Sequence, residues 1–282
     1  MNPILIALSF VQAAAQPAQA PAAASLEQTR FQACAALARS APERAVETAN
    51  AWRVEGGGLW ARQCLGLAYV ALGRWAPAAT VYEQAAREAE AAQDARLADF
   101  WVQSGNAWLA AGEPARAVQA FDAALATTLL ADELRGEVHL DRARALVAMD
   151  NVAGARTDLD RATQLVAADP FAWYLSAALA RRENNLARAQ SDIARARQLA
   201  PEDPDIMLLA GTIAGLTGNA GEAERLYREV AASAPQTDAG RAAAAALATI
   251  RETPQPAAEQ PAPSQPPPQQ PQPQPVTPDQ PR

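Results

Sequence analysis

The 282-residue chain contains no lysine, so all 24 of its cationic side chains are arginine. A phosphate-cradling Gly-Lys-Ser/Thr loop is therefore excluded, and Gly56-Gly57-Gly58 reads as a break in the chain instead. There is a single histidine, His139, and there are two cysteines, Cys34 and Cys64. That is too few ligands for a metal cluster, so neither a metal nor a cofactor is expected. Acidic residues such as Glu88, Glu90, Asp94 and Asp99 follow a solvated helical face rather than forming a catalytic pair. The net charge of −7 argues against nucleic acid or an anionic lipid surface as the main partner. Long hydrophobic runs are also missing. The apolar run at residues 3–11 is too short to span a bilayer, so no stable membrane span is expected in the mature chain.

What the chain does have is a repeat. Alanine, a large apolar residue four positions on and a small one three further recur as Ala78-Tyr82-Ala85, Ala117-Phe121-Ala124, Ala155-Leu159-Ala162, Ala189-Ile193-Ala196 and Ala223-Tyr227-Val230. The steps between the leading alanines are 39, 38, 34 and 34 residues. Twelve residues before each lies another small residue: Gly66, Gly105, Ala143, Ala177 or Gly211. Between the two stands Gly73, Gly112, Asp150, Asn184 or Gly218, residue types that tolerate the left-handed conformation ending a helix. Each unit therefore reads as helix, tight turn, helix, with small residues allowing close approach and the bulky residue filling the space beside them. A fixed period of this length means stacked units, each burying its apolar face on its neighbours. The surplus in the two longer steps falls in 86–97 and 125–135, as longer helices or longer loops.

At these residues the chain resembles the tetratricopeptide repeat family. Leu65-Gly66, Tyr69, Gly73, Ala78, Tyr82 and Ala85 carry the resemblance in one unit, and Trp101, Gly105, Trp108, Gly112, Ala117, Phe121 and Ala124 in the next. Trp173, Ala189, Ala196 and Pro201 mark a later unit, and Gly211, Gly218, Ala223, Tyr227 and Pro235 the last. The unit near 136–169 is degenerate, with His139 at the tryptophan position, where it reads as a packing residue. A weaker opening unit has Ala33, Ala45 and Trp52 in register. The resemblance implies an all-α, right-handed superhelical solenoid of about six helix-turn-helix units over 26–252, closed by an alanine-rich capping helix from Ala239 to Arg251.

On the same frame Cys34 and Cys64 fall on the first helices of neighbouring units, as a disulfide if the chain is exported or as two buried thiols if it is not. In this family the first helices line a concave groove through positions 2, 5, 9 and 12. Those positions carry Trp60, Gln63, Val102, Asn106, Leu140, Arg144, Phe171, Tyr174 and Arg181. Trp60, Phe171 and Tyr174 would be aromatic anchors, Asn106 would bond a peptide backbone, and Arg144 and Arg181 would pair with acidic groups. Of the family's carboxylate-clamp residues only Asn106 is present, so the clamp proteins' function does not transfer.

The ends differ in character from the array. Residues 1–15 resemble a secretory signal peptide with cleavage after Ala15, although the stretch before the apolar run carries no Lys or Arg. Residues 16–25 read as an Ala/Pro/Gln linker. In 253–282, twelve of 30 residues are proline, which predicts a disordered, extended tail without a core. The expected function is a non-catalytic scaffold in the periplasm or outside the cell, with a protein or peptide partner. A cytoplasmic adaptor is the alternative, and an enzyme or ligand-binding solenoid a third reading with no polar constellation behind it.

Overall fold

A computed structural model describes residues 21–252. The expected leader over 1–15 and the expected tail over 253–282 lie outside the described residues. Within them the chain forms α1 (Pro21–Ser40), α2 (Pro42–Val54), α3 (Gly58–Ala71), α4 (Trp75–Ala92), α5 (Leu97–Ala110), α6 (Pro114–Ala126) and α7 (Asp132–Ala148). These are followed by α8 (Val152–Leu165), α9 (Pro170–Arg182), α10 (Leu186–Leu199), α11 (Pro204–Leu216), α12 (Ala220–Ser233) and α13 (Asp238–Glu252). No strand occurs among the described residues. Consecutive helices pair as α1/α2 through α11/α12, six helix-turn-helix units in a solenoid, and α13 covers the last of them.

The turns use the residues expected of them. Gly73, Gly112, Asp150, Asn184 and Gly218 all sit at positive φ, between 57° and 83°. Side chains then start the helices that follow. Asn151, Asn185 and Asn219 accept from the backbone N–H three residues on, at the heads of α8, α10 and α12, and Asp169 and Asp203 cap α9 and α11. The surplus in the 39-residue step lies mainly in α4, which runs to 18 residues against 13 or 14 in the other second helices of the matched units. The surplus in the 38-residue step lies in the connection Thr127–Ala131 and in a 17-residue α7.

The small–large–small repeat is the core. Tyr82, Phe121, Leu159, Ile193 and Tyr227 are buried, as are the alanines four residues before each. The first-helix glycines are small because the ring arrives from the second helix. A Cβ at Gly66 would lie 2.4 Å from the Tyr82 ring, at Gly105 2.5 Å from the Phe121 ring, and at Gly211 2.8 Å from the Tyr227 ring. At the far end α13 inserts Ala239, Ala243 and Leu247 into the same apolar cluster as Ile213 and Leu226. This removes the apolar face that an open solenoid end would leave in water.

Two expectations at the N-terminal end need correction. Residues 21–25 are not linker but the start of α1. Alanines extend the helix backwards, and Pro21 is tolerated at its head because its missing N–H has no partner there in any case. Ala33 is not in register; it is exposed, while Cys34 and Ala38 are buried. Only Ala41 separates α1 from α2, whereas Leu72, Gly73 and Arg74 separate α3 from α4, so the shorter link turns a different face of α1 inward.

Candidate functional site

Three pairs of neighbouring first helices touch, α1 with α3, α5 with α7 and α9 with α11, α1 with α3 most closely. Units that crowd on one side and spread on the other bend toward the crowded side, so the first helices form the inner face. α7 and α9, like α3 and α5, make no such approach, and a cavity of about 340 Å³ lies between α7 and α9. Its apolar wall comes from Ala143 and Val147 of α7, Leu159 of α8, and Leu175, Ala178 and Leu179 of α9. Arg144, Arg181 and Arg182 complete the lining. The structure thus brings together Arg144 and Arg181 from the sequence-derived set, but leaves Asn106 out of this cavity.

The guanidinium groups differ in how they are held. Arg144 donates to Asp141 at 3.0 Å, one helical turn back, and both side chains are at least partly in water. Arg182 pairs with Asp150, whose side chain is 84% exposed. Arg181 enters no ion pair among the described residues.

The remaining groove residues have other roles. Leu140 is not a contact position: it is 4% exposed and joins Leu146, Leu159 and Leu179 in an apolar cluster across α7, α8 and α9. Trp60 is no open anchor, because Phe31 of α1 packs against its ring at 5.2 Å between centroids and the Arg96 guanidinium lies 4.1 Å over it. Val102 is half-buried against the core of α4 to α7. Gln63 is half-buried, with Oε1 shielded from solvent and without a hydrogen-bond partner. Asn106 is exposed on α5.

Phe171 and Tyr174 stack at 5.9 Å with an interplanar angle of 19°, and Phe171 is exposed. With Pro170, Asp203, Asp205 and Ile206 they line a second cavity of about 280 Å³ between α9 and α11. Burial, reinforced by Asp205 and Asp203, pushes the Tyr174 hydroxyl above its ordinary pKa.

Sequence reasoning missed Val147, Ala178 and Arg182. Val147 and Ala178 stand at groove positions 12 and 9 of their helices, so the repeat frame could have found them; Arg182 is one residue beyond and could not.

The polar interior lies on the other side of the first helices. His139 Nδ1 is 2.8 Å from Asp158 Oδ1, and Arg142 donates to both oxygens of the same buried carboxylate at 2.8 and 2.7 Å. Burial opposes ionisation of Asp158, but these two donors outweigh it and hold its pKa below the ordinary carboxylate value. One unit on, Ser176 Oγ donates to buried Asp192 at 2.6 Å and accepts from Arg156 at 2.8 Å. The carboxylates thus bond across from second helix to first, where other units use apolar residues such as Leu226. His139 is occupied in packing, in keeping with its place in the repeat. Cys34 of α1 and Cys64 of α3 are both buried and their sulfurs lie at bonding distance, with Cα atoms 6.0 Å apart.

No protein-family model matches the chain. No curated protein matches it in sequence either. Solved structures do match its fold. The structure of Pseudomonas aeruginosa PilF aligns with a TM-score of 0.65 at 16% identity, over 80% of this chain and 100% of that one. PilW, described as a widely conserved type IV pilus biogenesis factor, aligns with a TM-score of 0.64 at 18% identity, over 80% and 98%. YrrB, described as a TPR protein with an unusual peptide-binding site, aligns with a TM-score of 0.52 at 18% identity, over 70% and 95%. At such identities the likeness is one of fold.

Proposed function

From its tetratricopeptide-repeat fold, we propose that the chain is a non-catalytic interaction scaffold of the bacterial cell envelope, holding an extended segment of a partner protein on its first-helix face. The observation that carries this reading is the cavity between α7 and α9, an apolar hollow with cationic side chains, lined mainly by residues of first helices. Two more observations support the envelope. The facing cysteines suit an oxidising compartment. The apolar run and Ala13-Ala14-Ala15 suit export with cleavage after Ala15. The match in fold and extent to PilF and PilW makes an envelope-assembly role the first to test. Among the described residues no helix is long and apolar enough to cross a membrane. The array is proposed to occupy 26–252 with α1 extending it to residue 21, and 253–282 to serve as a spacer.

The test is site-specific photo-crosslinking in cells. A photoreactive residue at Asn106, exposed on α5, is expected to give a discrete partner adduct. The same residue at Gln84, exposed on the second helix α4, is not. Equal adducts from both positions, or none from Asn106, refute the inner face as the recognition surface. N-terminal sequencing of the native protein should begin at Gln16; an intact Met1 removes the envelope assignment.

A further inference from the structure

We propose that the cavity between α7 and α9 is the anchor subsite of this face, and that it selects a segment in which one large apolar side chain has Asp or Glu two residues away on each side. The inference rests on the scaffold reading and names the chemistry of the partner. At about 340 Å³ the cavity falls within the range of ligand pockets and far exceeds the space of a few waters. Its floor of Val147, Leu159, Leu175 and Leu179 offers nothing to a polar group, so an apolar side chain must enter it.

The rim fixes what lies beside that anchor. Arg144 stands on the α7 wall, and Arg181 and Arg182 stand on the α9 wall. No carboxylate lines the cavity, although the whole chain carries a net charge of −7. Asp150 is solvent-exposed and Asp141 partly so, and Arg144 itself is exposed; ion pairs in contact with water contribute little, so both guanidiniums can be re-engaged. Arg181 has no such pair to give up. In an extended segment, successive side chains point to opposite faces. When residue i enters the hollow, residues i−2 and i+2 share its face and come down on the rim, one near each wall. Cations on both walls therefore call for a carboxylate on each side of the anchor. Arginine suits this, because its planar fork grips a carboxylate through two parallel bonds.

Peptide binding to the purified, oxidised protein tests the proposal, read by fluorescence anisotropy. The probe is a labelled Gly-Glu-Ser-Leu-Ser-Glu-Gly peptide. It should bind saturably, and more weakly as salt is raised. Replacing both Glu by Gln, or Leu by Ser, should each weaken binding about ten-fold or more. Arg181→Glu should weaken the acidic peptide by a similar factor and bind the version with both Glu replaced by Lys more tightly than wild type does. Ala178→Phe fills the hollow and should abolish binding; because that change touches packing, the surface change Arg181→Glu decides if it misfolds. The Gln version binding as tightly as the Glu peptide, indifference to Arg181→Glu, or no saturable binding of the acidic peptide overturns the proposal. Persistent adducts at Asn106 alongside such a result would leave the scaffold reading standing and sink only the anchor. Absent adducts would sink the scaffold reading whatever the peptides do.

Discussion

Gly105→Ala tests the packing logic of the array, with Gly221→Ala as its counterpart of opposite sign. Both positions are helical, on α5 and α12. In open space the exchange of Gly for Ala in a helix gains about 0.5–1 kcal/mol, because glycine loses more backbone freedom on folding. Gly221 has nothing within 4 Å of the added Cβ, so this gain should appear there, near its lower end because the residue lies in the first turn. At Gly105 the Cβ would lie 2.5, 2.7 and 2.8 Å from three atoms of the Phe121 ring, about 1 Å inside ordinary contact. Phe121 is fully buried and cannot swing into solvent, so α5 and α6 must separate. Overpacking of this kind costs about 1–3 kcal/mol against that gain, for a net loss of up to about 2.5 kcal/mol. For a domain of this size each kcal/mol moves the melting midpoint by about 2–4 °C. Thermal unfolding followed by far-ultraviolet circular dichroism should therefore show Gly105→Ala falling by several degrees and Gly221→Ala rising slightly. If Gly105→Ala rises as Gly221→Ala does, the ring does not pack on that glycine and the helix pairing described above is wrong.

The buried carboxylate and the cysteine pair give two further tests. Asp158→Ala leaves Arg142 and His139 without their shared partner and should cost about 3 kcal/mol at neutral pH, less if Asp122 takes over Arg142. Because the folded pKa of Asp158 lies below its unfolded value, its contribution is full above the ordinary carboxylate range and is lost as pH falls through the folded pKa. The gap between variant and wild type in denaturant midpoints should narrow below about pH 4, and a gap constant with pH would refute the role. Protein taken from its native compartment and alkylated without reductant should show no modified thiol. Reduction should then cost about 3–4 kcal/mol on the chain-entropy model for a loop of this length. Hydrogen exchange should rise in α1 and α2 first, since each unit is held only by its neighbours. Two alkylated cysteines, or unchanged exchange in α1 and α2, would remove the staple.

Periodicity and residue size were enough to read five stacked helix-turn-helix units and a cap, and the resemblance to tetratricopeptide repeats added the opening unit and the solenoid form. The reason is local. A left-handed turn wants Gly73, Asp150 or Asn184, and a ring such as Phe121 wants a glycine or alanine opposite, wherever the unit sits in the array. A repeat frame fixes the face on which a side chain lies, but not what the neighbouring unit lays over it. Trp60 occupied a groove position and was covered by Phe31 and Arg96, which arrive from α1 and from the residue preceding α5. Leu140 was drawn into the seam between α7, α8 and α9. Ala33 fell out of register because a one-residue link rotated α1, an effect of connection length that residue spacing within helices does not carry. The pairing of Asp158 with His139 and Arg142 joins residues 16 and 19 apart, at a distance set by two helices meeting across a turn. The cavity itself depends on the spacing of α7 from α9, so Arg144 and Arg181 were legible as cations on one face, while their meeting around a shared apolar hollow was decided by tertiary packing.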